Sequence, residues 1–325
     1  MSSARIQAPQ SSQEPPPHAP EAGIWKKLLG PFYVTGVFWF RFHCWGARIM
    51  REWMLWPVIT LFTTFFWVVL RNIRRAIAGN LEAVLGPCSW VERQRRIYRT
   101  FVTYAWCLTE RYQRLATTKR AKVEIEGEEI WRRLSSTPRG FILLTAHIGA
   151  WEIGSFLPGS EIRRRVHVVR EGETDPRAQA FVRELIEKQA SDGFFTTHFA
   201  AAAPTLGMTL LDCLRAGDLV ALQGDRPRAW GKAVPGTLFG KPFPLPAGPA
   251  ALARAAEVPL VPVFVFREGR LHYRCWIREP IDVARTGDRD GDIGTAVATF
   301  TGELEAAIRR SPHQWFCFRE VWPKD

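Results

Sequence analysis

The sequence predicts an α/β fold, a mostly parallel sheet flanked by helices, with an N-terminal membrane-associated helical segment. Three observations predict it. From about residue 120 onward, short apolar runs alternate with helical stretches, the order that builds a parallel sheet covered by helices. The runs are short and end at turn residues, as in Phe141-Ile142-Leu143-Leu144, which marks buried strands. Upstream, Trp53 to Leu70 holds no charged residue. As a helix this stretch covers about 27 Å, against a hydrocarbon core of about 30 Å.

Taken in order, residues 1–22 carry Ser, Gln, Glu and Pro without an apolar run. They read as a disordered tail with no cleavable signal peptide. Residues 23–90 read as the membrane-associated helical region, with aromatic and aliphatic residues dominating Phe32 to Leu70. Pro57, Thr60, Thr63 and Thr64 weaken a spanning helix. Arg41, Arg48 and Arg51 before it and Arg71, Arg74 and Arg75 after it leave the positive-inside rule without a vote. A single span, a helix embedded from one face and a buried core helix all stay open.

Residues 91–325 read as the α/β domain. Its first helix, 91–116, interleaves Arg93, Arg95, Arg96 and Arg99 with Tyr98, Phe101, Tyr104 and Trp106. Such a face meets either water or anionic headgroups. Strands are expected at 140–145, 166–169 and 219–223, and helices at 175–189 and 206–214. Gly248-Pro249 opens a helix to Glu257. Leu260–Arg267 and Leu271–Arg278 form a hairpin around Glu268-Gly269-Arg270. Asp292–Arg310 is an amphipathic helix with Val297, Phe300, Leu304 and Ile308 on one face.

At 325 residues, 46% of them hydrophobic, and with 14 Trp, the chain is no disordered protein. Trp favours the membrane interface. The net charge of +12 implies an acidic partner: anionic lipid, nucleic acid or an acidic carrier protein. Nucleic-acid signatures are absent, so nucleic acid is not expected as a partner. The six Cys include no C-x-x-C pair, which fits reduced thiols in the cytosol and no zinc ribbon.

The chemistry concentrates at predicted strand ends, where open α/β sheets bind ligands. His147 leaves the first strand and Glu152 follows five residues later. Arg170 and Glu171 follow the second, and Asp225 and Arg226 the third. A His held by a carboxylate is a competent general base, and arginines suit an anionic substrate. His167, inside a strand, and His198, near an expected helix start, read as packing or capping residues. There is no G-x-S-x-G, H-E-x-x-H, G-x-x-x-x-G-K-[ST] or G-x-G-x-x-G. No metal and no cofactor is expected.

His147-x4-Glu152 resembles the His-x4-Asp/Glu motif of the glycerolipid and lysophospholipid acyltransferase superfamily. More narrowly, the chain is similar to the lipid A late acyltransferases (lauroyl and myristoyl transferases), a family that extends to phosphatidylinositol mannoside acyltransferases. His147-Ile-Gly-Ala-Trp151-Glu152, Val168-Val169-Arg170, Gly224-Asp225-Arg226 and Pro312-His313-Gln314-Trp315-Phe316 carry the resemblance, over roughly residues 25–322. It implies a glycerolipid acyltransferase-like fold and a membrane-bound O-acyltransferase. The implied donor is acyl carrier protein or acyl-CoA, and the acceptor a membrane lipid hydroxyl at the cytoplasmic face of a bacterial inner membrane. His147 and Glu152 are then the catalytic dyad, with Arg170, Asp225 and Arg226 binding substrate. The best-known lipid A enzymes carry Asp-Gln where this chain has Asp225-Arg226. That departure leaves other acceptors open, among them phosphatidylinositol mannosides, an aminolipid and a pigment. A membrane-anchored hydrolase and a catalytically silent binding protein for acidic lipid or nucleic acid, driven by the net charge of +12, are readings of other classes.

Overall fold

The computed structural model describes residues 37–117, 121–151, 164–173, 175–189, 194–200, 205–227 and 231–322. The tail 1–22 and Glu152 lie outside them. Four helices come first: α1 (Val37–Ile49), α2 (Glu52–Val69), α3 (Arg71–Leu85) and α4 (Trp90–Ala116). The longest, α4, opens on Ser89, whose hydroxyl accepts from the Glu92 backbone N–H. Ser89-x-x-Glu92 is the start signal that satisfies an otherwise orphaned donor. The other three pack on α4: α1 through Cys44, Ala47 and Tyr112, α2 through Leu55, Ile59 and Trp106, and α3 through Ile77, Leu81 and Ile97.

Beyond α4 the chain alternates β1 (Lys122–Glu126), α5 (Glu128–Ser135), β2 (Phe141–Thr145), β3 (Val166–Arg170), α6 (Pro176–Gln189), β4 (Phe195–Phe199), α7 (Leu206–Arg215) and β5 (Leu219–Gln223). Four two-residue strands follow, β6 (Ala233–Val234), β7 (Thr237–Leu238), β8 (Lys241–Pro242) and β9 (Leu245–Pro246), paired as two small ribbons. Then come α8 (Gly248–Ala256), β10 (Leu260–Gly269), β11 (His272–Ile277) and α9 (Arg289–Arg310).

The seven-stranded sheet has the order β1-β11-β10-β2-β5-β3-β4. Every neighbouring pair is parallel except the β10–β11 hairpin. The mostly parallel sheet flanked by helices is therefore present. Apolar continuity in the central strands has a direct cause, since both sheet faces are covered. Ile142 and Leu144 of β2 pack with Leu214, Ala253, Phe300 and Leu304 from α7, α8 and α9. Phe141 and Leu143 point the other way, toward Trp131 and Leu134 of α5 and Cys107 of α4. As the periodicity predicted, α9 buries Val297, Phe300, Leu304 and Ile308.

Among the described residues, one helix, α2, is long and apolar enough to cross a membrane. It is not a core helix, because only Leu55, Ile59 and Thr63 of its 18 residues are buried. His198 sits in strand β4, paired opposite Val169 of β3, two residues before a helical turn begins at Ala200. Its strand state comes from pairing at the sheet edge, which local sequence does not report.

Candidate active site

The parallel register between β2 and β5 sets Thr145 opposite Gln223. Two residues further along each strand stand His147 and Asp225. His147 Nδ1 lies 2.8 Å from Asp225 Oδ1, and the His147 backbone N–H donates to Asp225 Oδ2 at 3.1 Å. One carboxylate thus holds both the backbone and the ring of the same histidine. The Asp225 side chain is 1% exposed and that of His147 21%, so the acid is sealed beneath a base that substrate can reach.

Burial alone would raise the Asp225 carboxyl. The His147 interactions and the Arg226 charge outweigh it and hold the group below the ordinary aspartate value. An ionised carboxylate only accepts hydrogen bonds. Nδ1 therefore donates to Asp225, so the neutral form of the ring has its lone pair on Nε2, the tautomer a general base needs.

The loop after β2 is fixed by three backbone hydrogen bonds. The Gly149 N–H donates to the Gln314 carbonyl at 2.8 Å, Ala150 N–H to the Val265 carbonyl at 2.9 Å, and Phe316 N–H to the His147 carbonyl at 2.9 Å. The Gln314 side chain pairs with the Arg267 backbone in both directions, at 2.9 Å each. Position 149 has no room for a side chain: φ is +55°, and a β-carbon would sit 2.3 Å from the Val265 carbonyl oxygen. Pro312-His313-Gln314-Trp315-Phe316 is thus a clamp on the histidine loop. The sequence displayed this motif, but its role depends on contacts to residues far away in the chain. The Trp151 ring meets the His147 ring edge-on, with centroids 5.3 Å apart.

A family model described as bacterial lipid A biosynthesis acyltransferase matches residues 26–324, nearly the whole chain. The chain belongs to that family. It is an acyltransferase, and the family implies an acyl donor and a lipid acceptor. A comparison with curated proteins finds no match.

Within this acyltransferase the expected site residues fall as follows. Asp225 and His147 are in contact. Arg226 stands beside them, its Nε 3.8 Å from Asp225 Oδ2 and one Nη donating to the Phe316 carbonyl. That buried Nε has no hydrogen-bond partner among the described residues. Arg170 ends β3, the strand next to β5, at the same carboxyl-end rim. Glu152, the expected partner of His147, lies outside the described residues, while Asp225 occupies Nδ1. The sequence offered one clue to this pairing: Asp225 ends a second strand at the same rim.

Other histidines are placed differently. His167 makes polar contacts with Asp218 at 3.1 Å and with His198 at 3.0 Å, near the amino end of β3. Burial and the nearby Arg99 charge push His313 down to about 4, too weak a base for this chemistry near neutral pH. A small apolar cavity lies against Leu144 and Gly224, walled by Leu245, Leu260, Val297 and Phe300.

Proposed function

We propose that this acyltransferase moves a fatty acyl chain from a thioester to a hydroxyl of a lipid A-type glycolipid. The reaction takes place at the cytoplasmic face of a bacterial inner membrane. The observation that carries this reading is the His147–Asp225 pair at the carboxyl-end rim of a parallel sheet.

In this mechanism His147 Nε2 accepts the proton of the acceptor hydroxyl as its oxygen attacks the thioester carbonyl carbon. A tetrahedral oxyanion forms. It collapses with cleavage of the C–S bond, and the imidazolium returns the proton to the departing sulfur. Asp225 fixes the tautomer and stabilises the imidazolium. Arg170 and Arg226 hold an acceptor phosphate or the oxyanion. Glu152 is proposed as a second carboxylate of the same site. The chemistry needs no covalent acyl-enzyme.

The donor is acyl carrier protein or acyl-CoA, and the net charge of +12 favours the acidic carrier. Raising salt should then increase KM for the carrier and leave kcat nearly unchanged. Salt-independent kinetics would argue for another donor.

The direct test is transfer from labelled acyl carrier protein to a total lipid extract in detergent, with the product identified by mass spectrometry. Label in a single lipid A-type product supports the reading. Label in another lipid changes the acceptor, and label released only as free fatty acid makes the protein a hydrolase. The two carboxylates are separated by Asp225→Asn and Glu152→Gln. Asp225→Asn is expected to lower kcat by about 10² or more while KM moves little, because the amide can no longer enforce the Nδ1–H tautomer. An Asp225→Asn variant with wild-type kcat would return the partner role to Glu152.

A further inference from the structure

We infer that α2 lies in the plane of one leaflet as a monotopic seat on an anionic bilayer and does not cross it. Its two faces differ in kind. The buried stripe Leu55, Ile59 and Thr63 runs along α4. The opposite stripe holds Trp53 (71% exposed), Leu61 (69%), Phe65 (57%) and Val68 (54%). Large apolar side chains repeated at three- and four-residue spacing on an outer face are a surface for lipid, not for water.

What decides between lying and crossing is how α2 is attached. The helix follows α4 over most of its length. Trp56 packs edge-on against Trp106 at 5.0 Å, and Thr64 meets the Tyr98 hydroxyl at 3.0 Å. The first residue of α2, Glu52, pairs with Arg270 at 3.7 Å. Helix α4 is in turn bonded to the sheet through buried Glu110 and Arg267 at 3.0 Å. A crossing α2 would therefore carry α4, with Arg95 and Arg99, and the β10–β11 hairpin into the hydrocarbon. Arginine is among the side chains most strongly disfavoured there.

An in-plane α2 avoids that cost. The exposed stripe enters the acyl-chain boundary, and Arg71 and Arg75, both exposed directly after α2, stay at headgroup depth. Arginines at that depth select anionic lipid. Trp53 and Trp56, 71% and 63% exposed, are the residue type that favours the interface. The consequence is topological: α1 before α2, and α3 and the α/β domain after it, lie on the same side of the membrane.

The test uses the full chain with different epitopes at its two termini. In inverted membrane vesicles both epitopes should be open to protease, and in right-side-out spheroplasts both should be protected. Epitopes on opposite sides overturn the proposal. In parallel, purified protein is floated with phosphatidylcholine vesicles with or without phosphatidylglycerol. The variant Trp53→Ser/Leu61→Ser/Phe65→Ser should bind the anionic vesicles at least about tenfold more weakly while keeping its activity in detergent. Undiminished binding by that variant would likewise overturn it. Neither the protease readout nor the flotation readout uses the acyl acceptor, so the proposed reaction and the proposed seat fail separately.

Discussion

His147→Ala is expected to leave a folded protein whose acyl transfer is about 10² to 10⁴-fold slower, the range a positioned general base contributes. The loss should fall on kcat, since the imidazole accepts its proton only as the hydroxyl attacks. The fold should survive. His147 sits in a loop whose backbone is held by Gln314, Val265 and Phe316, and the Ala backbone N–H can still donate to Asp225. Single-turnover transfer from labelled acyl carrier protein, run beside a thermal melt, checks both halves. A His147→Ala enzyme with wild-type turnover would remove the general-base mechanism.

The largest expected effect on stability comes from Glu110→Ala. Glu110 lies in α4 with its side chain fully buried. It accepts from Arg267 Nε at 3.1 Å and Nη at 3.0 Å, from Arg270 at 3.4 Å, from the Leu271 N–H at 3.2 Å, and from the Tyr273 hydroxyl. Burial, with the adjacent Glu110 charge, pushes the Tyr273 hydroxyl well up, so Tyr273 stays a donor. Removing the carboxylate leaves the Arg267 charge, 15% exposed, without its counter-ion. Breaking such a buried pair costs about 3–5 kcal/mol. Chemical denaturation in detergent should show that loss. The double variant Glu110→Met/Arg267→Met should recover most of it, because no charge is then stranded. A Glu110→Ala variant within about 1 kcal/mol of wild type would mean that the network contributes little to stability. Because α1, α2 and α3 pack on α4, weakening this joint should also speed proteolysis of the N-terminal helices.

Much of the fold was legible because its signals are local. The strand 219–223 and the helix to Gln189 fall where pattern and punctuation placed them. The β10–β11 hairpin follows from two apolar runs around Glu268-Gly269-Arg270. The edge strands were not legible. Lys122–Glu126 is an alternating, half-exposed strand, and Phe195–Phe199 holds two Thr and a His. Each is a strand because it completes the ladder of a neighbour, β11 or β3, and no local pattern records that.

The same division runs through the site. The sequence by itself determined the ingredients: a His after an apolar strand, an Asp-Arg after another, and a basic, Trp-rich chain. It also determined the family, whose motifs are contiguous in the chain. It did not determine which carboxylate meets the histidine. His147 and Asp225 are 78 residues apart, and only the parallel register of β2 on β5 brings them level. Nor did it determine what Gln314 and Phe316 do, since their partners, Arg267 and His147, lie on separate elements. For α2, composition gives an apolar helix of spanning length. Its packing along α4 decides which face is left exposed, because hydrophobicity is a property of residues and burial one of arrangement.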